Sequence, residues 1–214
     1  MRLFITGATG NLGSAVASAL LADGHEVHAH VRSADAARRL PADARPATGD
    51  LADAPWLRTQ IDQADGVVHT ASPNDATSGA FDAAFLDITL PVLAGSGRPL
   101  VHTGGTWIHG SGDPITEDTP LDPPPMVAWR PPVLARVCAA AADDIRTVVV
   151  APANLYGAGR GIPALLRGGP LTDDPEPALR FVGSGRQRFA NVHRDDIAAL
   201  YALAGARRPP APTT

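Results

Sequence analysis

The first thirteen residues constrain the fold more than any other part of the chain. An apolar run at residues 3–5 leads into a loop with glycines at positions 7, 10 and 13, and an alanine-rich segment follows from Ser14 to Ala22. Glycine lets the main chain turn sharply, and it lets a phosphate approach backbone N–H groups at the positive end of a helix. The segment therefore predicts a strand, loop and helix that bind the diphosphate of a dinucleotide.

The spacing of these glycines is G-x-x-G-x-x-G rather than G-x-G-x-x-G, so the motif alone is a loose match to the dinucleotide fingerprint. A second apolar run, Val27 to Val31, completes a strand–loop–helix–strand context. We expect Gly7 to make the tight turn, Gly10 to admit phosphate and Gly13 to allow close packing of helix on strand. The alternative is that the three glycines only serve a structural turn.

Strand and helix patterns alternate along most of the 214 residues. The apolar runs predict six strands, at residues 2–6, 26–31, 45–48, 66–70, 99–103 and 147–150, with helices near 12–23, 33–40, 53–62, 79–94 and 130–143. Such alternation predicts an α/β fold, a doubly wound parallel sheet covered by helices on both faces. We assign residues 1–156 to this core, 157–205 to a small, reduced substrate-side lobe and 206–214 to a flexible tail.

Composition excludes several classes of function. The net charge is −4 and the ten aromatic residues are scattered, which argues against a nucleic-acid surface. No apolar run approaches the roughly 20 residues that cross a bilayer, so we expect a cytoplasmic protein without a membrane partner. The single cysteine, Cys138, allows no intrachain disulfide or cysteine metal cluster, and its alanine-rich surroundings predict a buried position. The acid pairs at 143–144, 173–174 and 195–196 fit capping and solubility, and no metal site is predicted.

Residues that follow the second and third strands indicate the nucleotide. Val31 stands where NAD-preferring sites place an acid, and Arg32 follows it. The Arg32 guanidinium can contact a 2′-phosphate, with Arg38 or Arg39 adding charge. This favours NADP(H) over NAD(H), unless these arginines are only solvated residues at a helix start. Asp50 and Leu51 suit the adenine amino group and ring, although Asp50 would equally cap the next helix.

Five segments together resemble a known family: residues 6–13, 49–51, 68–71, 152–157 and 192–198. In this order and spacing they are similar to the extended short-chain dehydrogenase/reductase superfamily, in its NAD-dependent epimerase/dehydratase group, over about residues 1–203. The resemblance implies a Rossmann-type sheet, with Pro152 near the nicotinamide and Asn154 opening the substrate lobe. The cofactor-binding residues that we predict are Gly7, Thr9, Gly10, Asn11, Leu12, Gly13, Arg32, Asp50, Leu51, Thr70, Ala71, Ser72 and Pro152.

The chain departs from that family in its catalytic residues. The family combines a Ser or Thr after the fifth strand with Tyr-x-x-x-Lys on the next helix, but this chain has no lysine, and its only tyrosines are Tyr156 and Tyr201. Gly105 falls where the hydroxyl residue belongs, so Thr103 and Thr106 are the near substitutes. Arginine stays charged and is a poor proton relay, which puts the usual mechanism in doubt.

Other residues near the fifth strand are candidates for the chemistry. Arg130 can bind a substrate oxygen, and His109 can act as acid or base near neutral pH, although a lone histidine is more often structural. Trp107 and Trp129 are predicted to contact substrate, with core packing as the alternative. Pro131 and Pro132 tolerate only a first helical turn and predict a helix start there.

Three functions follow from these residues. The first is an atypical NADP(H)-dependent oxidoreductase acting on a small carbonyl or enone without the usual tyrosine and lysine. The second is a non-redox isomerase, dehydratase or cyclase on the same scaffold, and the third is a non-catalytic NADP(H)-binding sensor. The expected partners are a small-molecule substrate and a second copy of the chain in a homodimer.

Overall fold

A six-stranded parallel sheet organises the chain in a computed structural model that describes residues 1–112, 114–161, 164, 184–186 and 188–206. The strand order is β3-β2-β1-β4-β5-β6, which confirms the predicted doubly wound fold. The strands are β1 (Arg2–Thr6), β2 (Glu26–Val31), β3 (Arg45–Thr48), β4 (Gly66–His69), β5 (Pro99–Thr103) and β6 (Arg146–Val150).

Helices cover both faces of this sheet. They are α1 (Asn11–Ala22), α2 (Ala34–Ala37), α3 (Ala54–Asp62), α4 (Ser78–Leu93), α5 (Arg130–Ala139) and α6 (Arg194–Ala206). Side chains of β1 alternate between the two faces: Leu3 and Ile5 pack with α1 and α6, whereas Phe4 packs with α3, α4 and α5. Strands β1, β4, β5 and β6 contribute side chains to both apolar cores, in agreement with the prediction of strands that are buried on both faces.

A second, three-stranded sheet follows the main one. It comprises β7 (Asn154–Gly157), β8 (Arg160–Gly161) and β9 (Asn191–His193), in the order β8-β7-β9. The predicted domain boundary after residue 156 falls inside β7. Helix α6 lies within the range predicted for the lobe, but it packs on α1 in the core. The acid pair at 173–174, most of residues 162–190 of the predicted lobe and residues 207–214 of the predicted tail lie outside the described residues.

Three local expectations differ from the structure. The helix predicted at 33–40 is the single turn α2, which Ser33 caps by accepting a hydrogen bond from Ala36 N. Asp53, not Asp50, caps α3 by accepting from Trp56 N. The prediction that Cys138 is buried is wrong: α5 buries positions 133, 134 and 137, so Cys138 points outward and is exposed.

In the part of the chain that the structure describes, every helix is too short or too polar to cross a membrane.

Candidate active site

The glycine loop between β1 and α1 forms a cradle of backbone. Gly7 has φ +77°, and a Cβ there would lie 2.7 Å from Ala71 N, so only glycine fits the turn. Gly10 N donates to Gly7 O at 2.8 Å and closes the loop. Gly10 also precedes α1 without offering a side-chain cap, and the first turn of α1 has no acidic residue. Among the described residues, no side-chain cap and no acid of the first turn occupies this end of α1, so its N–H groups and dipole are available to an anion.

Two arginines line the outer end of the cleft that starts at this loop. Arg32 follows β2, and Arg39 comes from just after α2. Arg38 does not line the cleft and instead pairs with Asp35 at 3.1 Å. Of the two predicted partners of Arg32, Arg39 therefore lies on the cleft and Arg38 does not.

A buried histidine supports this outer end. His30 Nε2 donates to Gly49 O at 3.0 Å. The imidazole packs edge to face with the Trp56 ring, with 5.7 Å between the ring centroids. Desolvation on burial is the largest influence on His30 and lowers its pKa, which keeps the ring neutral. The hydrogen bond holds the main chain just before Asp50 and Leu51, which also line the cleft.

The loop after β4 is held by the Thr6 side chain. Thr6 Oγ1 accepts from Thr70 N at 3.2 Å and from Ala71 N at 3.3 Å. Both lone pairs of the hydroxyl are then occupied, so its hydrogen is donated to His69 Nδ1 at 2.8 Å. Thr70 Oγ1 donates in turn to Thr6 O at 2.6 Å. These bonds fix the segment 70–72 where it lines the cleft.

Beneath this loop lies a buried cluster of His69, Asp82 and His102. The hydrogen bond from Thr6 leaves the His69 proton on Nε2, which faces Asp82 Oδ1 at 3.4 Å. His102 Nε2 lies 3.6 Å from Asp82 Oδ2, and neither ring nitrogen of His102 has a hydrogen-bond partner among the described residues. Three groups of this kind within 4.8 Å could in principle hold a metal. The nitrogen of His69 that faces the cluster carries a proton, however, so the arrangement fits a hydrogen-bonded carboxylate better.

Arg130 lies at the inner end of the cleft, at the start of α5. Its Nη1 donates to Gly104 O at 3.2 Å and to Thr103 O at 3.5 Å, and its guanidinium stacks over the Trp129 ring at 4.4 Å. Burial is the largest influence on the Arg130 pKa and lowers it, but an arginine remains charged. Within the described part of the chain Nε and Nη2 have no hydrogen-bond partner, so these donors remain available to a ligand.

The two threonines near Arg130 differ in what they can do. Thr103 Oγ1 donates to His69 O at 2.7 Å and lies 2.7 Å from the Tyr201 hydroxyl, which therefore donates to it. The Thr103 hydroxyl hydrogen is thus used in this bond to His69 O and is not available to a ligand. Thr106 lines the cleft, and among the described residues its hydroxyl has no partner.

The cleft is continuous, with a volume of about 1110 Å³, and it joins the predicted residues. All thirteen predicted cofactor-binding residues line it, as do Thr103, Thr106, Arg130, Trp107 and Asn154. His109 and Trp129 do not. His109 Nδ1 donates to Thr119 O at 2.8 Å. Trp129 packs against Gly79 of α4, and its ring stacks under the Arg130 guanidinium.

Comparison with known proteins agrees with this geometry. A family model described as the NAD dependent epimerase/dehydratase family matches residues 3–212. The chain belongs to the NAD-dependent epimerase/dehydratase family. A family relative, an uncharacterised protein of Schizosaccharomyces pombe, is 33% identical over 95% of this chain and 70% of its own length. A Stigmatella aurantiaca protein, 4-hydroxy-2-methyl-3-oxo-4-farnesyl-3,4-dihydroquinoline-1-oxide ketoreductase, is 30% identical over 98% of this chain and 66% of its own.

Solved structures show the same epimerase/dehydratase fold. A double mutant of DesIV, the dTDP-glucose 4,6-dehydratase of Streptomyces venezuelae with NAD and DAU bound, has a TM-score of 0.76 and 25% identity, covering 97% of this chain and 73% of the other. The UDP-glucose 4-epimerase of Thermus thermophilus, in complex with NAD, has a TM-score of 0.77 and 20% identity, covering 97% and 75%.

Within this epimerase/dehydratase chain, sequence reasoning missed His30, the buried cluster and Arg194. The histidines did carry a signal, because Val67 to Thr70 reads Val-Val-His-Thr and Leu100 to Thr103 reads Leu-Val-His-Thr at the ends of two strands. The register pairs His69 with His102. A repeated polar residue at the same point of two buried strands predicts that the side chains meet.

Proposed function

We propose that this chain binds NADP(H) and reduces the carbonyl group or enone of a small organic substrate. The observation that carries the proposal is the single cleft that runs from Arg32 and Arg39, past the glycine cradle, to Thr106 and Arg130. Its outer end offers two guanidinium groups to a 2′-phosphate, and its inner end offers hydrogen-bond donors to a substrate oxygen.

The cradle supports the fit of a dinucleotide. A Cβ at Gly7 or Gly13 would overlap neighbouring atoms of the loop, so the absence of side chains leaves the N–H groups of the α1 end accessible. Further residues line the same cleft, and we assign Asp50 and Leu51 to adenine, Thr70 to Ser72 to the ribose and Pro152 to the nicotinamide end.

A bound reduced nicotinamide would supply a hydride to a carbon of the substrate, and negative charge would develop on the substrate oxygen until a proton is taken up. Arg130 stabilises the negative charge that develops on that oxygen, because its guanidinium is half-buried and fixed by Gly104 O and the Trp129 ring. Thr106 donates a hydrogen bond to the same oxygen, and water delivers the proton. Trp107 and Asn154 also line the cleft, and we assign them to the remainder of the substrate. The 30% identity to a ketoreductase supports this direction of chemistry.

The dehydratase neighbour favours a second candidate. At 25% identity to DesIV, this chain could carry out an elimination or isomerisation in which the cofactor returns to its starting redox state. Net oxidation of NADPH distinguishes the two functions.

Arg32 tests the choice of cofactor. Replacing Arg32 with alanine removes the guanidinium that we assign to the 2′-phosphate, so the Kd for NADPH should rise by about tenfold or more, as the loss of one charge-assisted contact implies, while the Kd for NADH changes little. Fluorescence titration of both nucleotides measures this. Arg38→Ala is the matched control, because Arg38 lies outside the cleft. An equal effect of Arg32→Ala on both nucleotides would contradict the NADP(H) assignment.

Arg130 tests the chemistry. Replacing it with glutamine should lower kcat/KM by roughly 10²-fold, the effect of losing one oxyanion donor, and leave the Kd for NADPH within about twofold. The measurement is loss of NADPH absorbance with a panel of quinones, enones and ketones. Arg136→Gln on the same helix is the control, because Arg136 pairs with Asp87 away from the cleft. Binding of NADPH without oxidation by any substrate of the panel would favour the second candidate or a sensor.

A further inference from the structure

Arg194 connects the end of the described chain to the glycine loop at its beginning. It follows β9 as the first residue of α6, and its side chain is only 16% exposed. Nη1 donates to Asn11 Oδ1 at 3.1 Å, and Nη2 donates to Ser14 Oγ at 3.0 Å. Both partners lie in the first turn of α1, 183 and 180 residues away in sequence.

The backbone around Arg194 keeps room for this side chain. A Cβ on Gly157, which has φ +123°, would lie 2.7 Å from Arg194 Cγ. Gly157 is the last residue of β7, which pairs with β9. Because Gly157 has no side chain, the aliphatic part of the Arg194 side chain can pass beside it. The guanidinium is thereby aimed at α1 rather than into solvent.

The position is electrostatically unfavourable without an anion. The N-terminal end of a helix is positive, so a cation there is repelled by the helix dipole. The first turn of α1 contains no acid that could offset the charge. Asp195 approaches Arg194 Nε at 3.3 Å, but its carboxylate is 70% exposed and therefore well screened by water.

We propose that Arg194 is a positioning residue for the cofactor diphosphate. It fixes the Asn11 side chain at the edge of the cradle and adds one positive charge within a helical turn of the free N–H groups. In a chain without lysine, this arginine supplies the cation beside the loop. The proposal rests on the proposed function only in that the cradle holds a dinucleotide diphosphate, whichever reaction follows.

The test compares three variants by calorimetric titration with NADPH, NADH and ADP at several salt concentrations. Arg194→Gln should weaken binding of all three ligands by about tenfold and flatten the dependence of Kd on salt, because a charge is lost near the phosphates. Arg194→Lys keeps the charge and should recover part of the affinity. Arg58→Gln is the control, because Arg58 is exposed on α3 away from the cleft and should bind as wild type.

The outcomes separate this inference from the proposed function. Unchanged affinity and salt dependence in Arg194→Gln would overturn the positioning role, even if its melting temperature fell. If Arg194→Gln does not fold, Arg194→Lys is the variant to measure. The flexible lysine ammonium cannot make both hydrogen bonds, to Asn11 and to Ser14, as the guanidinium does. Wild-type affinity of Arg194→Lys for ADP would then overturn the role of this pair of hydrogen bonds. If Arg194→Gln binds ADP more weakly than the wild type, and the wild type never oxidises NADPH, the positioning role of Arg194 would be supported and the reductase function would be overturned. No binding of any ligand by the wild type would overturn both.

Discussion

Gly13 has the least free space of the three loop glycines. A Cβ there would overlap the Gly7 carbonyl and lie 2.5 Å from Thr70 Oγ1, whereas a Cβ at Gly10 would meet its nearest atom, Gly7 O, at 3.1 Å. The constraint at Gly13 is therefore steric and comes from backbone, which cannot move aside as a side chain can. The third glycine of the motif is required for packing in addition to any ligand.

Gly13→Ala should lower the free energy of unfolding by about 1–3 kcal/mol, the usual cost of overpacking, and weaken NADPH binding. The matched control is Gly205→Ala in α6, where the new methyl group meets only side-chain atoms, at 3.9 Å. Because alanine favours helix, that variant should be neutral or more stable by up to about 1 kcal/mol. Urea unfolding measures both. Equal destabilisation of the two would show that backbone crowding is not the cause.

At the scale of elements, α6 stabilises the end of β5 through a hydrogen bond. Tyr201 is fully buried in the core shared with α1, and its hydroxyl donates to Thr103 at the end of β5. Burial is the largest influence on the Tyr201 pKa and raises it well above its ordinary value, so the phenol stays protonated and remains a donor. This tyrosine therefore serves the scaffold and does not replace the catalytic tyrosine of the family.

Tyr201→Phe removes the hydroxyl and keeps the ring. We expect the free energy of unfolding to fall by about 0.5–1.5 kcal/mol, the net value of one hydrogen bond. The double-mutant cycle with Thr103→Val isolates the contact, since the two substitutions together should cost less than their sum. Strict additivity of the two losses, measured by urea unfolding, would mean that the hydroxyl groups do not interact.

The elements differ in how well the sequence predicts them. The six strands of the main sheet were predicted to within about one residue, and every one except β3 contains an apolar run bounded by turn residues, which is a local signal. The second sheet was not predicted, because β8 has only two residues and β7 pairs with β9, across more than thirty intervening residues. The contact of Arg194 with Asn11 was missed for the same reason: hydrogen bonds between distant segments leave no periodic pattern.

At the scale of the whole molecule, the buried cluster links stability to pH. Burial, followed by the neighbouring His69, lowers the pKa of His102 to about 3, while Asp82 opposes the shift. The unfolded chain binds a proton at His102 below about pH 6.5, and the folded chain does not until near pH 3. The free energy of unfolding should therefore fall as the pH drops through this window, by up to about 1.4 kcal/mol per pH unit from this residue.

The variant His102→Gln should lose this part of the pH dependence. Urea unfolding between about pH 7 and pH 5 should give a shallower slope for the variant than for the wild type. The contribution of His30, whose pKa burial also lowers, is common to both proteins and cancels in the comparison. Identical slopes would show that His102 gains its proton in the folded chain as easily as in the unfolded one.

The packing of α6 on α1 also determines when the cofactor cradle is complete during synthesis. The glycine loop leaves the ribosome first, but Asn11 and Ser14 gain their Arg194 partner only after nearly two hundred residues have been made. Contacts of such sequence separation form late, because the closure of a long loop precedes them. A nascent chain therefore carries an unfinished cradle until α6 has been made and has docked on α1, and we expect the cradle to bind its cofactor more weakly until then.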